Sequence, residues 1–191
     1  MKRRAWACLL ALMICIFFLG GCGAAGKTPS YLLEQPSRED VASITQGGFT
    51  VSFPTEHTKE DAELIVMGQA IPCRIYRSPI LNKEEPVGEY ILLFLDYAAF
   101  YGEKAEMPSE EDLLRHTLIE IGTFTAEEFS RGAVGSQEGI LCTISAMNGI
   151  LLRGRAGFVV NESGRGVLII YGANLDGYRK ADLEAYFDSV K

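Results

Sequence analysis

Two short stretches of this chain are apolar on both of their alternating faces, and that constrains the fold more than anything else in it. Glu89 to Ala98 reads EYILLFLDYA, and Gly166 to Ala173 has the core Val167-Leu168-Ile169-Ile170-Tyr171. Successive side chains of a strand point to opposite sides, so each stretch needs cover above and below. Both are too short for a buried helix of ordinary length and are rich in β-forming residues. A sheet with two such central strands must lie between two other layers.

The other segments are read outward from these. Gly48-Phe49-Thr50-Val51-Ser52-Phe53-Pro54 places Phe, Val and Phe on one face and stops at a proline, as a half-buried strand does. Thr55 to Glu63 is charged and reads as a loop. Leu64 to Ile80 is β-forming but interrupted by Gly68 and Pro72, which suits an edge or bent strand. Asn82 to Pro86 reads as a turn. Pro108-Ser109-Glu110-Glu111-Asp112 offers a cap and first-turn acids, followed by a stripe of Leu113, Leu114, Thr117, Leu118 and Ile121, with Gly122 as the stop. Ile140 to Met147 and Ile150 to Asn161 flank Asn148-Gly149, a strong hairpin signal. That turn sets Met147 opposite Ile150, Ser145 opposite Leu152, Ile144 opposite Arg153 and Cys142 opposite Arg155. A last helix from about Tyr178 buries Leu183, Tyr186, Phe187 and Val190. The expected class is α+β, an α/β/α sandwich around an antiparallel sheet of about six strands in the order β-β-β-α-β-β-β-α.

Ahead of this body stands a segment of a different kind. Lys2-Arg3-Arg4 is basic, and no charge follows until Lys27. A basic start, an apolar run and small residues at its end are the parts of an export signal. Leu19-Gly20-Gly21-Cys22 resembles the bacterial lipobox. The resemblance implies lipidation of Cys22, cleavage before it and a membrane anchor, since two or more acyl chains hold a protein durably at a bilayer. Two other readings stand beside this one: an uncleaved spanning helix, for which about 20 apolar residues suffice, and ordinary cleavage with Cys22 a bystander. The expected division is a signal over 1–21, the lipidated Cys and a tether over 22–46, and a globular domain over 47–191. Gly23 to Pro36 is small, polar and proline-punctuated, and holds a domain on the order of 20 Å from the lipid. Ser37-Arg38-Glu39-Asp40 looks like a cap for a brief helical turn through Val41 and Ile44.

Without the three basic residues of the signal, 15 positive side chains face 25 negative ones, a formal charge of −10. Nucleic acid and anionic lipid headgroups are therefore poor partners, and no nucleic acid is expected, because phosphate binding needs clustered Lys and Arg. Cys73 and Cys142 are too few for a disulfide framework; a single bridge and two buried thiols both stay open.

The Gly-Phe-x-Val-x-Phe-Pro strand, the strand ending in Asp96-Tyr97, the capped helix, the antiparallel meander and the terminal Phe187-Asp188-Ser189-Val190-Lys191 are together similar to the PsbP-like family. That resemblance spans Gly48 to Lys191 and implies the sandwich above. It includes extrinsic photosystem subunits, a Ran-binding import factor and bacterial lipoproteins, and it implies docking on a larger protein.

Few residues suggest chemistry. His116 is off the apolar stripe of its helix, and His57 lies among Glu56, Glu60, Asp61 and Glu63 without the spacing of a zinc site. Cys142, if it faces Arg153 and Arg155, would lean toward a thiolate. Phe100 and Tyr101 leave a central strand on a loop and are candidate partner contacts. No catalytic set, metal-ligand set or cofactor is expected. The functional expectation is a lipid-anchored, non-enzymatic accessory module of the bacterial envelope on the extracytoplasmic side. The alternative is a small-molecule or metal-binding lipoprotein with a pocket between sheet and helix.

Overall fold

The chain divides after Arg38. The computed structural model describes residues 41–100 and 108–191, all within the second unit. Nine strands and two α-helices form there: β1 (Val41–Gln46), β2 (Phe49–Pro54), β3 (Thr58–Val66), β4 (Gln69–Asn82), β5 (Glu85–Asp96), α1 (Glu110–Ile121), β6 (Phe124–Val134), β7 (Gln137–Met147), β8 (Ile150–Val160), β9 (Arg165–Ala173) and α2 (Lys180–Asp188). A single 3-10 turn, Ala98–Phe100, follows β5. β3 to β9 make one antiparallel sheet in the order β3-β4-β5-β9-β8-β7-β6, and β1 and β2 pair as a separate hairpin.

The expected α/β/α sandwich is therefore corrected to a β-rich fold. Strands hold most of the described residues, and the helices are two and short. Helical layers were inferred because β5 and β9 demanded cover on both faces. The demand is real, but half of the second cover is itself β structure. Ile91, Leu93 and Leu95 of β5, with Leu168 and Ile170 of β9, face a core closed by Leu113, Leu114 and Leu118 of α1. Tyr90, Leu92 and Phe94, with Val167, Ile169 and Tyr171, face a second core closed by Leu183, Tyr186 and Phe187 of α2 and by Phe49, Val51 and Phe53 of the hairpin. Burying each such side chain contributes about 1.5–3 kcal/mol. Helix α1 touches both edge strands, β3 and β6, so the sheet curves around it.

Three strands were not foreseen. Val41–Gln46, read as a tether end with a helical turn, is β1, paired residue by residue with β2 around Gly47-Gly48. Thr58–Glu63, read as loop, belongs to β3, whose acids point to solvent because it lies at the sheet edge. The β6 segment breaks its alternation at a bulge over Glu127–Ser130, where Glu128 has φ 55°. A bulge scrambles the period-two pattern from which strands are read.

The Asn148-Gly149 hairpin forms as expected, and Met147 pairs with Ile150. Both turn residues are left-handed, φ 51° and 78°, which Asn and Gly tolerate best. One step on, an irregularity between Ile144 and Ala146 shifts the register. Ile144 then meets Gly154 rather than Arg153, and Cys142 meets Ala156 rather than Arg155. Helix α1 is capped as foreseen, the Ser109 hydroxyl accepting from the Asp112 N–H at 3.1 Å. Gly122 ends it in extended backbone, φ 163°, not in a left-handed cap.

Candidate functional site

Four of the residues singled out from sequence, Leu19, Gly20, Gly21 and Cys22, lie outside the described residues, as does Tyr101. Among the described residues no helix is long and apolar enough to cross a membrane.

Phe100 is described, and it is buried. Only 7 % of it is exposed, and its ring lies 6.3 Å from that of Tyr97. The 3-10 turn folds it back over the sheet, so it closes the α1-side core instead of presenting an aromatic anchor. Tyr97 beside it is fully buried and hydrogen-bonded at 2.7 Å to Thr117. Because the Thr117 hydroxyl donates to the Leu113 carbonyl, the Tyr97 hydroxyl is the donor of that pair. Leu113, Leu114, Leu118, Tyr97 and Phe158 pack together in the core between the sheet and α1.

The histidines occupy structural or solvent positions. His57 gives its Nδ1 proton to the Pro54 carbonyl at 2.6 Å and sits edge-on to Phe53 and Tyr76, 5.5 and 5.4 Å between centroids. It plugs one end of the α2-side core. His116 faces solvent on α1. Among the described residues no group of three metal-ligating side chains converges.

Cys73 and Cys142 are free and buried. Burial pushes each thiol up to about 11. At Cys142 the charges of Arg115 and Arg155 pull the other way but do not offset desolvation. The thiolate reading is thus overturned: the β7–β8 register places Cys142 against Ala156, in the core.

Sequence reasoning missed a nest of tyrosines under α2. Tyr90 lies 5.2 Å from Tyr171 and 5.3 Å from Tyr186, all as ring edges against faces. Each hydroxyl at the ends of this nest has work within the fold. Tyr186 donates to the Ile91 carbonyl at 2.8 Å, and the Tyr171 oxygen accepts from the Arg179 N–H at 2.9 Å, where α2 begins. Burial raises Tyr171 to about 12 and moves Tyr186 upward as well. Such phenols are neutral anchors, not acids or bases near neutral pH.

The surface is more informative than the interior. Ile150 and Leu151, at the tip of the β7–β8 hairpin, are 65 % and 82 % exposed. Ile119, on the last turn of α1, is exposed too, and the Asn148 N–H ties this hairpin to Thr123 just past α1 at 2.7 Å. Leu81 at the end of β4 and Leu175 just after β9 are exposed at the same end of the sheet, as the pairing of β4 with β5 and of β5 with β9 requires. Five of the exposed large apolar residues thus gather at one end of the described fold, where single ones are ordinary. At the opposite end a shallow groove of about 420 Å³ runs along the β6–β7 turn, between Arg131 and Glu138. Arg131 is committed there to Glu110, at 3.0 Å.

No protein-family description matches the chain. No curated protein matches it in sequence either.

Proposed function

We propose that this chain is a lipid-anchored, non-enzymatic accessory module of the bacterial cell envelope, tethered through Cys22 and docking on a larger protein. The observation that carries the reading is the apolar end of the sheet, Ile119, Ile150, Leu151, Leu81 and Leu175, which nothing in the described fold covers. An apolar end on a domain of strongly negative charge favours a protein surface over anionic lipid headgroups or nucleic acid. The lipobox-like Leu19-Gly20-Gly21-Cys22 supports the anchor.

The test has two arms. Radiolabelled fatty acid incorporated by the wild type and lost in Cys22→Ala supports the anchor, whereas a processed, membrane-bound Cys22→Ala protein ends it. Cross-linking in intact membranes should trap one stoichiometric partner, and Ile150→Asp with Leu151→Asp should abolish that product while leaving the circular dichroism unchanged. Trapping by the double variant at the wild-type level would rule out the apolar end as the docking surface.

A further inference from the structure

The β1–β2 hairpin has two outer edges, and the described residues close only one. In an antiparallel pair, residues alternately exchange both backbone bonds with their partner and turn both groups away from it. The two-residue turn Gly47-Gly48 makes Gln46 and Phe49 an exchanging pair. Ile44 and Ala42 therefore also bond to β2, while Val41, Ser43 and Thr45 turn their N–H and C=O groups outward. The β2 side verifies this phase. Thr50, opposite Thr45, exchanges both bonds with Lys191, at 3.0 and 2.9 Å. Ser52, opposite Ser43, gives its N–H to the Ser189 hydroxyl at 3.1 Å. The C-terminus thus caps β2. Among the described residues, the outward backbone groups of Ser43 and Thr45 meet no such cap.

Edges of this kind are usually guarded, and the other two in this fold are. β3 carries Lys59, Glu60, Asp61 and Glu63, and β6 carries its bulge with Glu127 and Glu128. Charges and bulges deter strand pairing. β1 reads Val-Ala-Ser-Ile-Thr-Gln, with no charge, no proline and no bulge.

We infer that the free edge of β1 is a strand-addition site, at which an extended, non-acidic segment of a partner protein pairs antiparallel or parallel with Val41–Gln46. Only an extended backbone repeats donors and acceptors at the two-residue spacing of Ser43 and Thr45, roughly 6.8 Å. A second copy of this chain is a poor occupant. Two copies of a chain with this net negative charge repel each other. The ground beside the edge disfavours acidic segments as well. Arg74 of β4 reaches Gln46 at 3.2 Å but is held by Asp61, and Glu63 follows Asp61 on the same face of β3. The inference rests on the binding-module reading and deepens it by naming a recognition mode, on a surface separate from the apolar end.

The experiment uses the full chain in detergent micelles and a short synthetic peptide alternating Thr, Val and Lys, with a second peptide carrying Glu in place of Lys. Hydrogen exchange should slow at the Ser43 and Thr45 amides on adding the Lys peptide and stay unchanged at Ile44, which already bonds to β2. Ser43→Pro removes an outward donor without touching a β2 bond and should weaken the peptide by about tenfold, with Ser43→Thr restoring it. The Glu peptide should bind more weakly, the difference shrinking with salt. Unchanged exchange in the wild type with the peptide bound or absent overturns the site, and so does full binding by Ser43→Pro. Slow Ser43 and Thr45 exchange without peptide also overturns it, and sedimentation then separates a second copy from the chain's own preceding residues as the occupant. Loss of peptide protection with cross-linked partner capture intact defeats the edge alone. Protection with no partner captured defeats the accessory reading alone.

Discussion

At Cys142 the low dielectric of the core outweighs two nearby guanidinium groups, and the thiol stays protonated far above neutrality. Cys73 behaves the same way for the same reason. Both should resist a maleimide in the folded protein at neutral pH and react at once in urea, a contrast read by mass spectrometry. Glu89 shows the same balance at a carboxylate. Its carboxylate lies 3.0 Å from Arg77, yet burial wins and its pKa rises above 4.5. The folded state then holds the proton more tightly than the unfolded one. This contribution to stability is whole below pH 4.5 and is lost as pH rises through the higher folded value. Urea unfolding of Glu89→Gln should show a flatter profile from pH 4.5 toward neutrality than the wild type. Lys83 and Glu84, between β4 and β5, both hold left-handed backbone at φ 50° and 70°, without the Asn or Gly that such a turn prefers. Glu84→Gly should therefore raise stability by about 1 kcal/mol, seen as a higher Tm.

Elements were legible where one local signal settled them. Asn148-Gly149 announced its turn, Ser109 its cap, and the apolar cores of β5 and β9 their central places. Ser109→Ala should cost about 1 kcal/mol by chemical denaturation, since the Asp112 N–H loses its acceptor. What stayed hidden depended on neighbours. The charges of β3 resemble a loop until the strand is known to be an edge. The acids before Val41 resemble a helix cap until β2 is known to take β1 as its partner. Near Ile144 the register slips by one residue, and a one-residue slip sends every later side chain to the other face. That slip is why the arginine pairing expected for Cys142 failed. Phe100 looked like a loop aromatic because the 3-10 turn that folds it inward has no sequence mark of its own. The lipobox residues were read from pattern alone, and their place is outside the described fold.

Across the whole molecule, the last two residues act as a clasp. Val190 is fully buried, its carbonyl accepts from the Ser136 N–H at 2.9 Å, and Lys191 joins Thr50. Gly135 makes room for this: a Cβ there would stand 2.0 Å from the Val190 oxygen, and its φ is +61°. Deleting Val190 and Lys191 should cost about 4 kcal/mol, from one buried aliphatic side chain and its accompanying hydrogen bonds. That is a large share of the stability of a domain this size, and guanidinium titration would measure it. The clasp also has a temporal meaning. The sheet centre joins Leu92 to Ile169, and the hairpin is sealed by Ser189 and Lys191. Each union joins segments far apart in sequence, so neither forms until the later segment has been made. Contacts of such long sequence separation carry a high loop-closure cost, so the sheet and its clasp close late and together.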